Sequence, residues 1–89
     1  MTGKQSPLTS RVLLCLSLEA QEINYIDDRV LKTGKPIDRD TLKGILKKLV
    51  RQKLAHREQR GHALYFRLAV GPAVDLALDE AWAAMEASA

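Results

Sequence analysis

The sequence has little of what a disulfide scaffold, a metal centre or a membrane anchor requires. Its one cysteine, Cys15, excludes an internal disulfide bond. The two histidines, His56 and His62, lack the closely spaced cysteine, histidine or acidic residues that complete a zinc site, so we expect no metal and no cofactor. No apolar run approaches the roughly 18 residues of a membrane-spanning helix, so we expect no membrane partner.

Signals for catalysis and export are also missing. The sequence contains no nucleophile–base pair, glycine-rich phosphate loop or paired-carboxylate motif, and we do not expect an enzyme. Residues 1–5 lack the apolar stretch of a signal peptide, so we expect a cytoplasmic protein. The 89 residues suffice for one compact domain, residues 1–89, with a thin core.

Charge is distributed unevenly along the chain. Residues 39–67 carry nine basic and two acidic side chains, whereas residues 68–89 carry four acidic side chains and no basic one. A polyanion is therefore attracted to the middle of the chain and repelled by its last quarter. The alternative interpretation is that the lysines and arginines only solvate the outer face of a helix.

Apolar spacing and capping residues predict two helices in the first third of the chain. The first is expected over residues 6–18, with Ser6 as its N-cap. The second is expected over residues 25–33, with Asn24 as its N-cap and Gly34 directly after its end, where glycine tolerates a left-handed backbone.

A third helix, over residues 38–52, has the clearest periodicity, and Asp38 is a suitable N-cap. Its apolar residues recur at intervals of three and four and form one face: Leu42, Ile45, Leu46, Leu49 and Val50. Its basic residues recur every four positions and form a ridge on the opposite face, with Lys48 on the flank: Arg39, Lys43, Lys47 and Arg51.

The pattern then changes to that of a hairpin followed by a last helix. Residues 55–68 read as two short strands, because apolar residues alternate in the second strand and Gly61 suits a tight turn. Gly71 and Pro72 end the second strand, and an alanine-rich helix is expected over residues 72–87. The fold class is therefore mainly α with a small β-hairpin.

This order of elements, and the stretch from Ile37 to Leu68 in particular, resembles the winged helix-turn-helix DNA-binding domains of small bacterial transcriptional regulators. The likeness is to the multiple-antibiotic-resistance-regulator and related families. Leu54, at the entry to the first wing strand, and the charged turn at Arg60 and Gly61 match the family pattern. Lys53 departs from it, because those families commonly have glycine there. Their longer flanking helices are missing, which implies a stand-alone minimal domain.

The resemblance implies sequence-specific binding of duplex DNA by the third helix and the wing. Arginine can bond guanine through two atoms, and lysine suits phosphate contacts. An arginine at a hairpin tip can enter a minor groove. The residues expected at the DNA are Arg39, Asp40, Thr41, Lys43, Lys47, Lys48, Arg51, Arg57, Arg60 and His62. Two alternatives remain: an ordinary polar turn at the wing tip, and a winged-helix module that binds proteins instead of DNA.

The last helix carries an apolar stripe and no basic residue, so it is expected to avoid DNA and to hold a homodimer together. Tryptophan is enriched at protein interfaces. The expected interface residues are Val74, Leu78, Ala81, Trp82 and Met85. The alternative is that this stripe folds back onto the first helix of the same chain.

Overall fold

The computed structural model describes residues 7–88, with side chains up to Glu86. The helices are α1 (Pro7–Cys15), α2 (Ile23–Lys32), α3 (Arg39–Arg51) and α4 (Pro72–Ser88). The strands are β1 (Gln21–Glu22), β2 (Ala55–Arg60) and β3 (Ala63–Leu68). Ser6, the predicted N-cap of the first helix, lies outside the described residues. Within those residues, none of the helices combines the length and apolarity that a membrane crossing requires.

The observed order of helices and strands confirms the predicted fold class, mainly α with a small hairpin. The sheet has one strand more than the sequence analysis predicted. Its order is β1-β3-β2, and all pairs are antiparallel. Phe66 in the central strand pairs with Gln21 of β1 on one side and with Arg57 of β2 on the other. The short β1 therefore places the start of α2 beside the wing.

The borders of the first two helices differ from the predicted ones. The helix α1 ends at Cys15, because the chain beyond it meets the sheet and the carbonyl of Ser17 accepts a hydrogen bond from the N–H of Leu68 at 2.7 Å. The prediction of Asn24 as N-cap of α2 was wrong. Glu22 occupies the cap position and Asn24 is already helical. The pairing of β1 with β3 fixes Glu22 as the last extended residue, so α2 begins earlier than predicted.

The core is built from one face of each helix and the inner face of the sheet. The α3 stripe predicted from the sequence is buried except for Val50, which is half-buried. Leu42, Leu46 and Leu49 are fully inaccessible to solvent. Phe66 contributes the aromatic ring of this core. The helix α4 packs against α1 and closes the side away from the wing. The basic side chains of α3 therefore point outwards, because its apolar stripe is held inside.

Arg11 on α1 fastens the turn between α2 and α3. One terminal nitrogen of its guanidinium, Nη2, donates hydrogen bonds to the carbonyl of Val30 at 3.0 Å and to the carbonyl of Lys35 at 2.7 Å. Gly34 lies against the same guanidinium, and a Cβ atom there would stand 3.4 Å from Nη2. Arg11 thus bonds one carbonyl in the last turns of α2 and one in the turn that follows.

The helix α3 ends in a tight reversal at Lys53. The N–H of Lys53 donates to the carbonyl of Val50, and the N–H of Leu54 donates to the carbonyl of Leu49 at 2.9 Å. This pair of bonds is the Schellman motif, in which the residue after the cap adopts a left-handed conformation. Lys53 does so, with φ of 64°. The turn that glycine commonly forms in the related families is therefore present here with lysine.

The first prediction concerns the packing of α3. Leu46 is fully buried, so Leu46→Ala should lower the free energy of unfolding by about 2–5 kcal/mol, through lost burial and the cavity that remains. Leu31→Ala on α2 is the matched control, because Leu31 is 53% exposed, and it should change stability by less than about 1 kcal/mol. Urea unfolding followed by circular dichroism measures both. Equal losses for the two variants would contradict this account of the core.

Candidate nucleic-acid interface

The helix α3 is capped at both ends, and its charged face is exposed because its apolar face is buried. Asp38 is the N-cap, as predicted, and its Oδ2 accepts a hydrogen bond from the N–H of Asp40 at 3.2 Å. All the α3 side chains predicted to contact DNA are exposed: Arg39, Asp40, Thr41, Lys43, Lys47, Lys48 and Arg51. Their exposure leaves them available to a ligand in solution.

The wing is a two-residue hairpin. The strands pair as far as Arg60 and Ala63, so the turn is Gly61-His62, and Gly61 has φ of 61°. Glycine at the first of two turn residues suits a type II′ hairpin. Arg57 stands opposite Phe66 in the register, and directly opposed side chains lie on the same face of a sheet. Arg57 therefore lies on the face that packs against the helices.

The helix and the wing enclose a groove of about 450 Å³, which we name the first groove. Arg39 and Lys43 line it from α3, and Arg57 and His62 line it from the wing. The start of α2 and the strand residues complete it: Glu22, Ile23, Asn24, Gln59, Ala63 and Leu64. The fold thus brings together four of the predicted DNA-contacting residues from two separate segments of the chain.

A second groove of about 580 Å³ lies between the end of α3 and the start of β2. Lys47 is the predicted site residue that lines it from α3, and Arg57 lines both grooves. The remaining predicted residues are exposed but line neither groove: Asp40, Thr41, Lys48, Arg51 and Arg60. The basic surface therefore continues past the first groove towards the C-terminal end of α3.

Arg39 is held by α2. Its Nη2 donates to Oδ1 of Asn24 at 2.8 Å and lies 3.3 Å from Oδ2 of Asp27. Neither partner was predicted from the sequence, although the spacing of three residues between Asn24 and Asp27 places them on one face of a helix. A guanidinium has five N–H donors, so one engaged nitrogen leaves others for a ligand. Asn24 and Asp27 therefore restrict the orientation of Arg39 without blocking it.

Arg60 at the wing tip is held in a similar way on the opposite face of the hairpin. Its Nη2 lies 3.2 Å from Oε2 of Glu58, and its guanidinium carbon lies 4.8 Å from the centre of the Tyr65 ring. In the part of the chain that the structure describes, neither ion pair involves Lys43, Lys47 or Arg57. The site thus combines two positioned arginines with basic side chains that have no acidic partner.

Cys15 is a core residue and not a reactive site. Its side chain is 2% exposed, and burial raises the pKa of the thiol. A hydrogen bond with Thr33 and the charges of Arg29 and Arg11 act in the opposite direction but do not outweigh burial. The thiolate, which is the reactive form, is therefore disfavoured at neutral pH. Among residues 7–88 no three histidine, cysteine or acidic side chains are grouped so as to hold a metal ion.

The stripe on α4 is divided between the core and the surface. Val74 and Ala81, at 4% and 1% exposed, pack inside the chain's own core. Leu78 and Met85 are half-buried, and Trp82 is 58% exposed. Part of the stripe therefore folds back within the chain, as the alternative interpretation expected. Leu78, Trp82 and Met85 remain accessible at intervals of four and three, which places them on one side of α4; we name them the α4 patch.

Comparison with known proteins supports the architecture. No protein-family model matches the chain, and no curated protein sequence matches it. Among solved structures, the fold is similar to the crystal structure of a transcriptional regulator of the MarR family from Silicibacter pomeroyi, with a TM-score of 0.71 and 25% sequence identity. The chain is a winged helix-turn-helix domain. The similarity covers 93% of this winged helix and 53% of the regulator, so the chain spans about half the length of that neighbour.

The second prediction concerns the link between Arg39 and Asp27 in this winged helix. The two side chains are 43% and 35% exposed, so solvent screens their attraction. A double-mutant cycle with Arg39→Ala and Asp27→Ala should give a coupling energy of about 0.2–1 kcal/mol in urea unfolding. Raising the salt concentration should reduce that energy. A coupling of zero at low salt would show that the pair does not form in solution.

Proposed function

We propose that this winged helix binds duplex DNA in a sequence-specific manner through α3 and the wing, and that it acts as a transcriptional regulator. The observation that carries the proposal is the first groove, where basic residues of α3 face basic residues of the wing. Electrostatic attraction to phosphates supplies most of the affinity of such surfaces. Binding to the chromosome or a plasmid would place the protein in the cytoplasm.

The charged residues divide into two proposed roles. Arg39, oriented by Asn24 and Asp27 at the start of α3, is suited to reading a base edge, because a guanidinium can bond guanine O6 and N7 together. Its neighbours Asp40 and Thr41 are exposed in the same first turn of α3. In helix-turn-helix proteins the first turn of the second helix of the motif usually enters the major groove.

The lysines and the wing have the second role. Lysine is a flexible point charge and suits phosphate contacts, so Lys43 and Lys47 would bind the DNA backbone, and so would Lys48 and Arg51 in the last turns of α3. Arg57 adds charge from the wing, and His62 lines the same groove. Arg60, stacked on Tyr65, would enter an adjacent minor groove, where negative potential attracts arginine.

The third prediction tests DNA binding. The affinity for duplex DNA should fall linearly with the logarithm of salt concentration, with a slope of about −0.9 per phosphate contact. Lys43→Ala should reduce the steepness of this slope by about 0.9 for each protomer bound, on every sequence. Arg39→Ala should instead cost about 1–3 kcal/mol on an operator selected from a random duplex library, and less on random DNA.

The control for these variants is Lys32→Ala, because Lys32 is exposed at the end of α2 and lines neither groove. It should leave the salt slope nearly unchanged. Fluorescence anisotropy with labelled duplexes measures all four proteins. Absence of binding to any duplex at low salt would reject the proposal and favour a protein-docking module. Equal effects of Arg39→Ala on selected and random DNA would reject the role in base reading.

We also propose that the regulator is a homodimer that joins through the α4 patch. Trp82 is large and 58% exposed, and its half-buried neighbours Leu78 and Met85 extend the apolar area along one side of the helix. The acidic charge of α4 keeps this surface away from DNA. A two-fold pair would place two α3 helices about 34 Å apart, the spacing of successive major grooves.

The fourth prediction tests the dimer by light scattering. The parent should show twice the 9.9 kDa mass of the chain, and Trp82→Ala should raise the dimer dissociation constant about thirtyfold, the effect of losing an interface hot spot. Leu76→Ala is the matched control, because Leu76 is 60% exposed on α4 but lies outside the α4 patch. A monomeric parent at tens of micromolar would reject the dimer. An unaffected Trp82→Ala dimer would place the interface elsewhere.

A further inference from the structure

Lys53 adopts a backbone conformation that suits glycine better than lysine. Among the described residues it is the one non-glycine residue with positive φ, at 64°. The Schellman bonds at the end of α3 require this conformation, and glycine takes it without the clash that a Cβ atom causes. Lysine therefore lowers the folding stability relative to glycine at this position. Packing within the fold does not explain why lysine is present there, which points to a role in binding.

The side chain of Lys53 has a defined place in the second groove. It lines that groove together with Lys47 of α3 and with His56 and Arg57 of β2. The other lining residues form an apolar floor: Val50, Ala55 and Phe66. The described lining contains no carboxylate, and neither of the ion pairs in residues 7–88 involves Lys47, Lys53 or Arg57. The groove is therefore a concave, positively charged surface that attracts an anion.

The second groove lies beside the first and shares one lining residue with it. Arg57 lines both, and Lys47 follows Lys43 by one turn of α3. A DNA strand whose phosphates contact the first groove would thus continue past Arg57 towards Lys53. Lysine at this position can reach a phosphate but is poorly placed for a base, because it stands beyond the end of the helix.

We propose that Lys53, with Lys47 and Arg57, binds a phosphate of the DNA backbone in the second groove. This inference rests on the proposed DNA-binding function and extends it to a contact outside the first groove. The proposal explains why lysine stands where the backbone favours glycine. The ammonium group increases the affinity for DNA, although the backbone conformation lowers the folding stability. A free phosphoryl anion shares the same chemistry, and the experiment distinguishes the two.

The test uses the full chain with Lys53→Gly and Lys53→Gln. Both variants remove the charge. For each protomer bound, they should lower the affinity for duplex DNA about three- to tenfold and the steepness of the salt slope by about 0.9. Lys53→Gly also relieves the strain, so it should raise the melting temperature by roughly 2–5 °C, whereas Lys53→Gln should melt close to the parent. Lys32→Gln is the charge-matched control outside both grooves, and it should change neither quantity.

Lys53→Gly should therefore lower the affinity for DNA while raising the melting temperature. A variant that merely folds poorly would lower both. The inference is overturned if both Lys53 variants bind DNA like the parent, or if affinity falls with an unchanged salt slope. A lower melting temperature for Lys53→Gly overturns the strain argument and with it the reason for a phosphate site. These results leave the proposed function intact, whereas a parent that binds no duplex rejects both.

A final arm separates a DNA phosphate from a free one. The ratio of parent to Lys53→Gln affinities is measured with and without inorganic phosphate at constant ionic strength. An unchanged ratio supports a contact with the DNA backbone, because a single weakly held anion competes poorly with a tethered one. A ratio of one in the absence of phosphate, with inorganic phosphate raising the melting temperature of the parent but not that of Lys53→Gln, assigns the groove to a free anion and overturns the DNA contact.

Discussion

The chain leaves α3 through Lys53 in a left-handed conformation, and the placement of the wing depends on this reversal. Leu54 donates its N–H to the carbonyl of Leu49 in the last turn of α3, and its own carbonyl accepts from the N–H of Ala69 after β3. Leu54 is 6% exposed, so its side chain anchors the turn in the core. A different turn would carry β2 away from α3, and Arg57 would no longer share a groove with residues of that helix.

The orientation of α3 depends on the core against which it packs and on the turn that precedes it. Its apolar stripe packs into a core to which every helix contributes. The basic ridge on the opposite face of α3 therefore faces the solvent. Arg11 fixes the approach from the other side by bonding one carbonyl of α2 and one carbonyl of the turn that leads to α3. In a domain with so thin a core, one guanidinium that bonds two backbone carbonyls restricts the path of the chain between the two helices.

The basic side chains fall into two groups, those with an acidic partner and those without one, and the two groups suit different contacts with DNA. Arg39 and Arg60 each have an acidic neighbour, so less conformational freedom is lost when they bind. Lys43 and Lys47 have no such ion pair among the described residues, and lysine is in general a flexible and strongly hydrated cation. Positioned arginines favour selectivity for one geometry, whereas flexible lysines tolerate the variable path of a phosphate backbone. The proposed division between base reading and backbone binding follows from this contrast.

The sequence by itself determined the elements whose signals are local. The third helix follows from Asp38, whose side chain caps a helix wherever the chain lies, and from an apolar period of 3.6 residues. The wing follows from Gly61 and from alternation in the second strand. The candidate site residues of α3 were predictable too, because an apolar stripe on one face of a helix implies which side chains are exposed on the other.

Only the tertiary structure decided the features that depend on residues far apart in the chain. The strand β1 has two residues and exists because β3, more than forty positions later, supplies its partners. That pairing moved the start of α2 and turned Asn24 from a cap into a partner of Arg39. The contribution of Lys53 to a groove, and the exposure of Trp82 beside a buried Ala81, were likewise set by packing. Sequence patterns report local backbone preference and periodic burial, whereas these contacts arise when the elements meet.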